Sequence, residues 1–496
     1  MVALMVLGGT RVIYGSLISR ETDATVYGIV GTLTAVATIA SLMLPSGIGS
    51  AIARFVPFSR GAGDLAAGRG LYRLLSRMAL VSAVLLAIVS GGIAVLFSRP
   101  WSDIGQVMLL TLTYSLYVTE KAGLYGFNRV GEYVRLEILG SGVTLGATIL
   151  VVTAHLTWYL LPLVAGYATF VIGARLAIRP DLRGSRSRPD LAGGREVLTY
   201  VLLACVGALA GTGFLQATQL LAAGYASAAS AAYFTATIAL ISPLYFLPRA
   251  LALALFPFLS QAHGAGDWDA VRNHTDIATR ALVAFMAPLF VAAELLAVAV
   301  LTLYSGGSLA GGVLVLQVVL LAAFLSVIQV PSVNALSSGS GLQLKVPVGW
   351  AVAGCLVGLA SVAVLAPLFD APGIAVGYLI GTALAASGPI IVVWRRYRTP
   401  WGRLIPTAIA LILLSFGAAQ MLERVMQGAT HAWLLDIVVA TIAAGIAALV
   451  LRHEIGAMLA IARRQRAGSE LEHEPAEADV ASTDVSATHG VEGPRG

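Results

Sequence analysis

The chain has 496 residues, of which 58% are hydrophobic and only 11% charged, and its mean hydropathy is +0.86. Soluble domains carry about 25% charged residues, so this polypeptide cannot hide its apolar surface in water. Apolar runs long enough to cross a bilayer as helices, about 18 residues or more, recur from end to end, whereas the alternating segments of about ten residues that a β-barrel needs are not visible. The formal net charge of +6 hides two unlike regions: from Ala467 onward seven acids stand against one base, Arg495, and the remainder carries an excess of twelve positive charges. That excess follows membrane topology, not nucleic acid. The expected class is an all-α polytopic membrane protein.

Fourteen transmembrane helices are predicted, at roughly 2–19, 25–53, 75–97, 103–126, 133–154, 157–178, 197–223, 231–258, 281–304, 309–335, 346–367, 372–394, 404–423 and 432–451. The first span is apolar from its first residue and has neither a basic leader nor a small-residue cleavage site, so it reads as a span and not as a signal peptide. It is barely long enough, which leaves room for a start upstream of Met1. Arg11 stands about 15 Å along it at 1.5 Å per residue, close to mid-membrane, with Tyr14 on the same face at i+3. Span 2 ends in Arg54. In span 5, Glu137 follows Arg135 by two, so the pair does not share a face. Gln216 and Gln219 lie at i, i+3 in span 7, one turn after Thr212. Arg249 follows Pro248 in span 8, Glu294 stands alone in span 9, and span 10 holds Gln329 and Asn334. Cys205 and Cys355 fall inside apolar spans and offer neither metal spacing nor a disulfide framework. Prolines at 45, 162, 243, 248, 288, 331 and 389 permit kinked helices.

The connections alternate between tiny and basic. One side carries 54–77, 121–135, 175–195, 261–280, Lys345, 395–403 and 452–466, while the opposite turns hold only Arg20, Arg99 and Arg424. The positive-inside rule puts the basic side, and with it both termini, in the cytoplasm. Two of the basic loops are alike. Pro57-Phe58 and Pro257-Phe258 precede Gly61-Ala62-Gly63-Asp64 and Gly264-Ala265-Gly266-Asp267; Arg69 and Arg77 follow one aspartate, and Arg272 and Arg280 the other at the same spacing. Tyr27 and Tyr233 open the two preceding spans. Such self-similarity predicts two related halves, 1–179 with spans 1–6 and 197–394 with spans 7–12, joined by a basic linker at 180–196. Both repeat loops share one face, so the axis relating the halves runs along the membrane normal. A basic loop at 395–403 leads to two appended spans within 404–452. The tail 453–496 is acidic and expected to be disordered from about 467.

The first hairpin sets Tyr27-Gly28 after the polar turn Arg20–Asp23, then Pro45, Gly47 and Gly49 before Ala51-x-x-Arg54-Phe55. The second half shows Phe256-Pro257-Phe258, Asn334-Ala335-Leu336 and Pro372-Gly373 through Gly377-Tyr378. Over about residues 10 to 395 this pattern resembles the polysaccharide-exporter branch of the MOP superfamily. That branch comprises the Wzx-type lipid-linked oligosaccharide flippases and their relative MurJ, with MATE drug antiporters more distant. The resemblance implies two pseudo-symmetric six-helix lobes in a V, opening alternately to each side, that carry a polyprenyl-pyrophosphate-linked saccharide from the inner to the outer leaflet. The two extra C-terminal helices resemble those of MurJ and many Wzx proteins. In MurJ relatives arginines of helices 1, 2 and 8 line the cavity, and Arg11, Arg54 and Arg249 are the counterparts here, although only Arg54 sits in a matched motif. Spans 7, 11 and 12 lack the acids with which a sodium-coupled relative binds its cation, so the driving force, an ion or a proton gradient, stays open.

A flippase must draw an anionic, hydrated headgroup through a layer that rejects it. Charges inside a membrane cost about 2.5–3.5 kcal/mol near a helix centre and are functional candidates by default, and arginine grips phosphate oxygens with a planar fork. Arg11, Tyr14, Arg54 and Arg249 are therefore candidate ligands of a phosphate or sugar; the plain alternative is an arginine snorkelling to the interface. Gln216, Gln219, Gln329 and Asn334 can bind sugar hydroxyls or hold helices together. Glu294 and Glu137 are candidates for proton or cation coupling, against a protonated or partnered structural acid. The repeat loops read as caps and anchors of the cytoplasmic helix ends. No catalytic, metal or cofactor signature is present: there is no Walker loop, no His/Cys metal cluster and no paired carboxylates in an expected cavity. The expected partners are a lipid-linked oligosaccharide, membrane lipids, and the polymerase and glycosyltransferases of the same cell-envelope pathway, in a prokaryotic cytoplasmic membrane. A MATE-like antiporter of organic cations would instead present acids on spans 1, 2 or 7. A membrane glycosyltransferase or polysaccharide polymerase would need large outer loops, and the outer loops here are a few residues long.

Overall fold

In hydrocarbon every backbone N–H and C=O must be paired within the segment, which leaves helices as the form for apolar runs of this length. A computed structural model describes residues 2–61, 64–183, 194–338, 341–425 and 432–456. Within those residues it shows eighteen α-helices and no strand. The middle of the basic linker, Ala62 and Gly63 of the first repeat loop, and the acidic tail lie outside the described residues. Among the described residues ten helical stretches have the length and composition to cross a membrane, with 345–397 counted as one. Large apolar side chains cover the outside: Val81, Leu85, Ile88 and Leu96 on one helix are all more than half exposed. The chain is a multi-pass membrane protein.

The first half runs α1 (Val2–Glu21), α2 (Ala24–Leu42), α3 (Leu44–Gly61), α4 (Leu65–Leu96), α5 (Trp101–Gly126), α6 (Val130–Thr153) and α7 (Leu161–Ile178). The second runs α8 (Gly194–Ala208), α9 (Phe214–Tyr225), α10 (Ala228–Ile241), α11 (Phe246–Gly264), α12 (Trp268–Leu295), α13 (Ala297–Ser305), α14 (Val313–Ile328), α15 (Val330–Ser337) and α16 (Gly341–Tyr397). Then come α17 (Leu404–Val425) and α18 (Ala432–Val450). All fourteen predicted spans fall on helix, but several are broken. Span 2 divides at Met43, ahead of Pro45, whose ring and missing N–H disfavour an uninterrupted helix. Span 7 loosens to a π-turn over Leu209–Gly213, and span 8 tightens to a 3₁₀ turn over Ser242–Tyr245, around Pro243. Span 10 breaks at Gln329, just before Pro331. Spans 11 and 12 are the two limbs of α16, which fold back on each other at Asp370, a residue with φ of 53°.

The repeated loops do the same job twice. Asp64 accepts a hydrogen bond from the Ala67 N–H at 2.8 Å and caps α4. Asp267 accepts from the Ala270 N–H at 2.9 Å and caps α12. A second correspondence was not visible in the sequence. In α6 and α7, a Cβ added at Gly140 would stand 2.9 Å from the Gly166 carbonyl oxygen; between the limbs of α16, one added at Gly354 would stand 2.4 Å from that of Gly381. Both hairpins therefore close backbone to backbone through facing glycines, as membrane helices pack when small residues let them approach. The halves meet where α2 packs on α9 and α10, α3 on α8, and α1 on α10 and α13. The appended α17 and α18 pack on α12. There the Trp401 indole N–H donates to Asp276 at 2.7 Å, and Arg280 pairs with Asp276 and with Glu454.

Candidate functional site

Between the two sets of helices lies a cavity with about 1090 Å³ of empty space, partly open to solvent. Among the described residues two cations line it, Arg11 from α1 and Arg249 from α11, and no carboxylate does. Arg11 is held in place: its Nη2 donates to the hydroxyls of Tyr167 at 3.2 Å and Tyr114 at 3.3 Å, and its guanidinium lies 5.9 Å from the Tyr114 ring centre. Such an arrangement meets the need of an intramembrane arginine for donors satisfied by protein. Arg249 is exposed to this space and lies 5.9 Å from the Tyr245 ring centre. Gln216 and Gln219 add amides; Gln219 donates to Thr235 across the α9–α10 hairpin. Tyr14 also lines the cavity, with its hydroxyl donating to the Tyr159 carbonyl at 2.7 Å.

In chain order, Thr235 and Ser242 precede Arg249 along span 8, which runs toward the basic loop 261–280. Along α1, Arg11 precedes Tyr14 and Gly15, which lead to the turn after Glu21. Of the lining residues on these two spans the arginines are those nearest the basic-loop side. A second, smaller space of about 320 Å³ opens behind Arg11 inside the first half and shares Arg11 and Tyr167 with the cavity. Glu137 of α6 lines it, both carboxylate oxygens accepting from the Tyr117 hydroxyl at 3.0 and 3.2 Å. Lys121, counted with the basic connection 121–135 though inside the predicted span 103–126, lies within α5, its ammonium 5.1 Å from the Tyr133 ring centre and 5.7 Å from that of Tyr117. Arg11 and Arg249 line the one cavity, Arg11 and Glu137 line the side space, and Lys121 and Glu137 share Tyr117 as a neighbour. Among the described residues none of the three cations has a carboxylate within 4.0 Å.

Five of the residues singled out in the sequence thus share the cavity: Arg11, Tyr14, Gln216, Gln219 and Arg249. The others stand elsewhere. Arg54 sits at the seam between α3 and α8, stacked 4.7 Å from the Tyr200 ring centre. Gln329 occupies the break between α14 and α15, and Asn334 is on α15, its buried Nδ2 without a partner among the described residues. Glu294 is fully buried in α12, neither carboxylate oxygen partnered among the described residues, and its carbonyl accepts from Gln317. Glu137 pairs with Tyr117 and not with Arg135, which pairs with Glu132 at 3.1 Å. Sequence reading passed over Tyr114, Tyr117 and Lys121, although their i, i+3, i+7 spacing puts them on one face of α5.

Two seams join the halves on either side of the cavity. On one side the hydroxyls of Tyr27 and Tyr304 meet at 2.6 Å, Ser16 donates to the Tyr304 carbonyl at 2.7 Å, and Arg20 donates to the carbonyls of Leu303 and Tyr304. On the other, Cys205 of α8 donates to the Met43 carbonyl at the break in span 2, and Phe55 packs edge-on against Tyr200.

No family model matches this sequence, and no curated protein does either. Solved structures do match in fold. A multidrug resistance MATE family transporter of the MOP superfamily, in an inward-facing conformation, aligns with a TM-score of 0.65 at 14% identity, covering 79% of this chain and 94% of its own. The lipid II flippase MurJ, in an inward closed conformation, aligns at 0.64 and 11% identity, covering 91% of this chain and 98% of its own. A MOP superfamily transporter from Pyrococcus furiosus, described by the reverse polarity of its binding pocket, aligns at 0.54 and 16% identity over 80% of this chain and 95% of its own. This chain has the fold shared by MATE transporters and the MurJ flippase of the MOP superfamily.

Proposed function

We propose that this protein carries a polyprenyl-pyrophosphate-linked oligosaccharide across a prokaryotic cytoplasmic membrane by exposing the central cavity to each side in turn. The observation that supports this most is a cavity lined, among the described residues, by two arginines and no carboxylate. With Lys121 and Glu137 counted, the cluster keeps an excess of positive charge without a counter-ion among the described residues, which a pyrophosphate bridge would supply. Arginine forks suit phosphate oxygens, and the amides and hydroxyls toward the other end suit sugar hydroxyls. The saccharide would then enter ahead of its phosphates while the lipid chain stays in the bilayer. The fold supports transport, since it is the fold of a lipid II flippase and of MATE transporters. An organic cation would find tyrosine faces in this lining but also two arginines and, among the described residues, no carboxylate, so the antiporter reading lacks the acids it needs. The polymerase and glycosyltransferases that use the same lipid carrier are the expected partners, and the protein itself would be no enzyme.

The test is a clean deletion in the host, followed by extraction of lipid-linked saccharides. Build-up of one such species in the cytoplasmic leaflet, with loss of a surface glycan, is the expected result. Unchanged surface glycans and no build-up would refute the proposal.

A further inference from the structure

Arg11 borders two spaces at once. One is the carboxylate-free central cavity; the other is the side pocket that holds Glu137. The charged and titratable groups around Glu137 come from each helix packed on α6: Arg11 of α1, Tyr117 and Lys121 of α5, and Tyr167 of α7, with Tyr133 on α6 itself. Arg249 of α11 joins this set by lining the same cavity as Arg11. Glu137 is the one acid among them, and its hydrogen-bond partner is a neutral phenol.

Resting on the transport reading above, we infer that Glu137 is a proton site competing with the passenger for Arg11, so that proton and anion are taken up together. With Glu137 ionised, part of the Arg11 and Lys121 charge is spent on the side pocket. When a proton adds to a carboxylate oxygen of Glu137, Tyr117 can still donate to the other oxygen, and the full charge of Arg11 faces the cavity. Linkage is reciprocal: an anion bound at Arg11 favours the proton on Glu137 by the same factor. The sign distinguishes this device from a proton antiporter, in which the proton expels the passenger. Here the proton tightens the grip, so an inward proton gradient acting through Glu137 does not drive export.

The experiment measures binding of inorganic pyrophosphate, and of a short-chain prenyl pyrophosphate, to the purified full-length protein in lipid nanodiscs across a range of pH. Wild type is compared with Glu137→Gln. Pyrophosphate titrates too, but equally for both proteins, so the ratio of their affinities isolates Glu137. The expected result is near-equal affinity at low pH and roughly fivefold or more weaker binding by wild type at high pH. A ratio that stays flat, or wild type binding more tightly at high pH, overturns the proposal for Glu137 while leaving the cationic cavity standing. No binding of either probe to wild type at any pH refutes the cavity reading itself. If Glu137→Gln does not fold, Glu137→Asp replaces it. Its shortened carboxylate is expected to keep the pH dependence with a displaced midpoint, and an unmoved midpoint counts against the proposal.

Discussion

An arginine at mid-membrane needs partners for its donors, and Arg11 finds them in the hydroxyls of Tyr114 and Tyr167. Those bonds hold the guanidinium at the cavity wall without neutralising it. Removing such a group from a buried charged contact costs about 2 kcal/mol or more, so Arg11→Ala and Arg249→Ala should each weaken pyrophosphate binding by roughly 30-fold. Arg11→Lys should recover little, because an ammonium cannot fork; isothermal titration against pyrophosphate checks all three. Glu120 makes a different prediction. It is fully buried and accepts from Tyr72 at 2.5 Å and from Arg175 at 2.9 Å. Glu120→Ala should cost about 3 kcal/mol of stability, read as a lowered melting temperature in detergent, with pyrophosphate affinity unchanged in the folded fraction. Arg11 and Arg249 were legible because charge within an apolar run stands out. Lys121 was not, because it lies close to the end of its run, where a basic residue reads as an anchor. Polarity alone overreached as well: Gln329 sits at a helix break, outside the cavity lining.

The helices themselves were largely readable from the sequence, since length and apolarity define them, and prolines marked several of their breaks. Asp64 and Asp267 were visible as a repeat, and the structure shows what is repeated: an aspartate cap on the helix that follows. Asp64→Ala or Asp267→Ala should cost about 1 kcal/mol each, measurable as a reduced midpoint of thermal unfolding. Paired glycines such as Gly140 with Gly166 and Gly354 with Gly381 carried no comparable signal. The chain has 53 glycines, and only tertiary contact tells which of them face each other. Gly381→Leu should force the limbs of α16 apart, with loss of monodisperse protein in size-exclusion chromatography; Gly211→Ala, where a Cβ meets nothing within 4 Å, is the neutral control.

At the scale of the whole molecule, the cavity is a property of neither half alone. Arg11 arrives from one and Arg249 from the other, and the halves are joined at Tyr27–Tyr304 and at Met43–Cys205. The sequence could present the arginines but not their meeting, since 237 residues of chain lie between positions 11 and 249. Tyr304→Phe removes the hydroxyl that meets Tyr27, and should shift the population toward states open at the α1–α13 seam. Spin labels placed across that seam would show a longer distance component growing at the expense of the short one. The most direct measurement of the central claim uses purified protein in sealed vesicles, scoring transbilayer movement of a polyprenyl-pyrophosphate-linked saccharide for wild type and for the Arg11→Ala/Arg249→Ala double variant. Movement by wild type, abolished in the folded double variant, is the predicted result. Equal movement by both, or a wild type that moves organic cations and not the anionic lipid, would contradict the account.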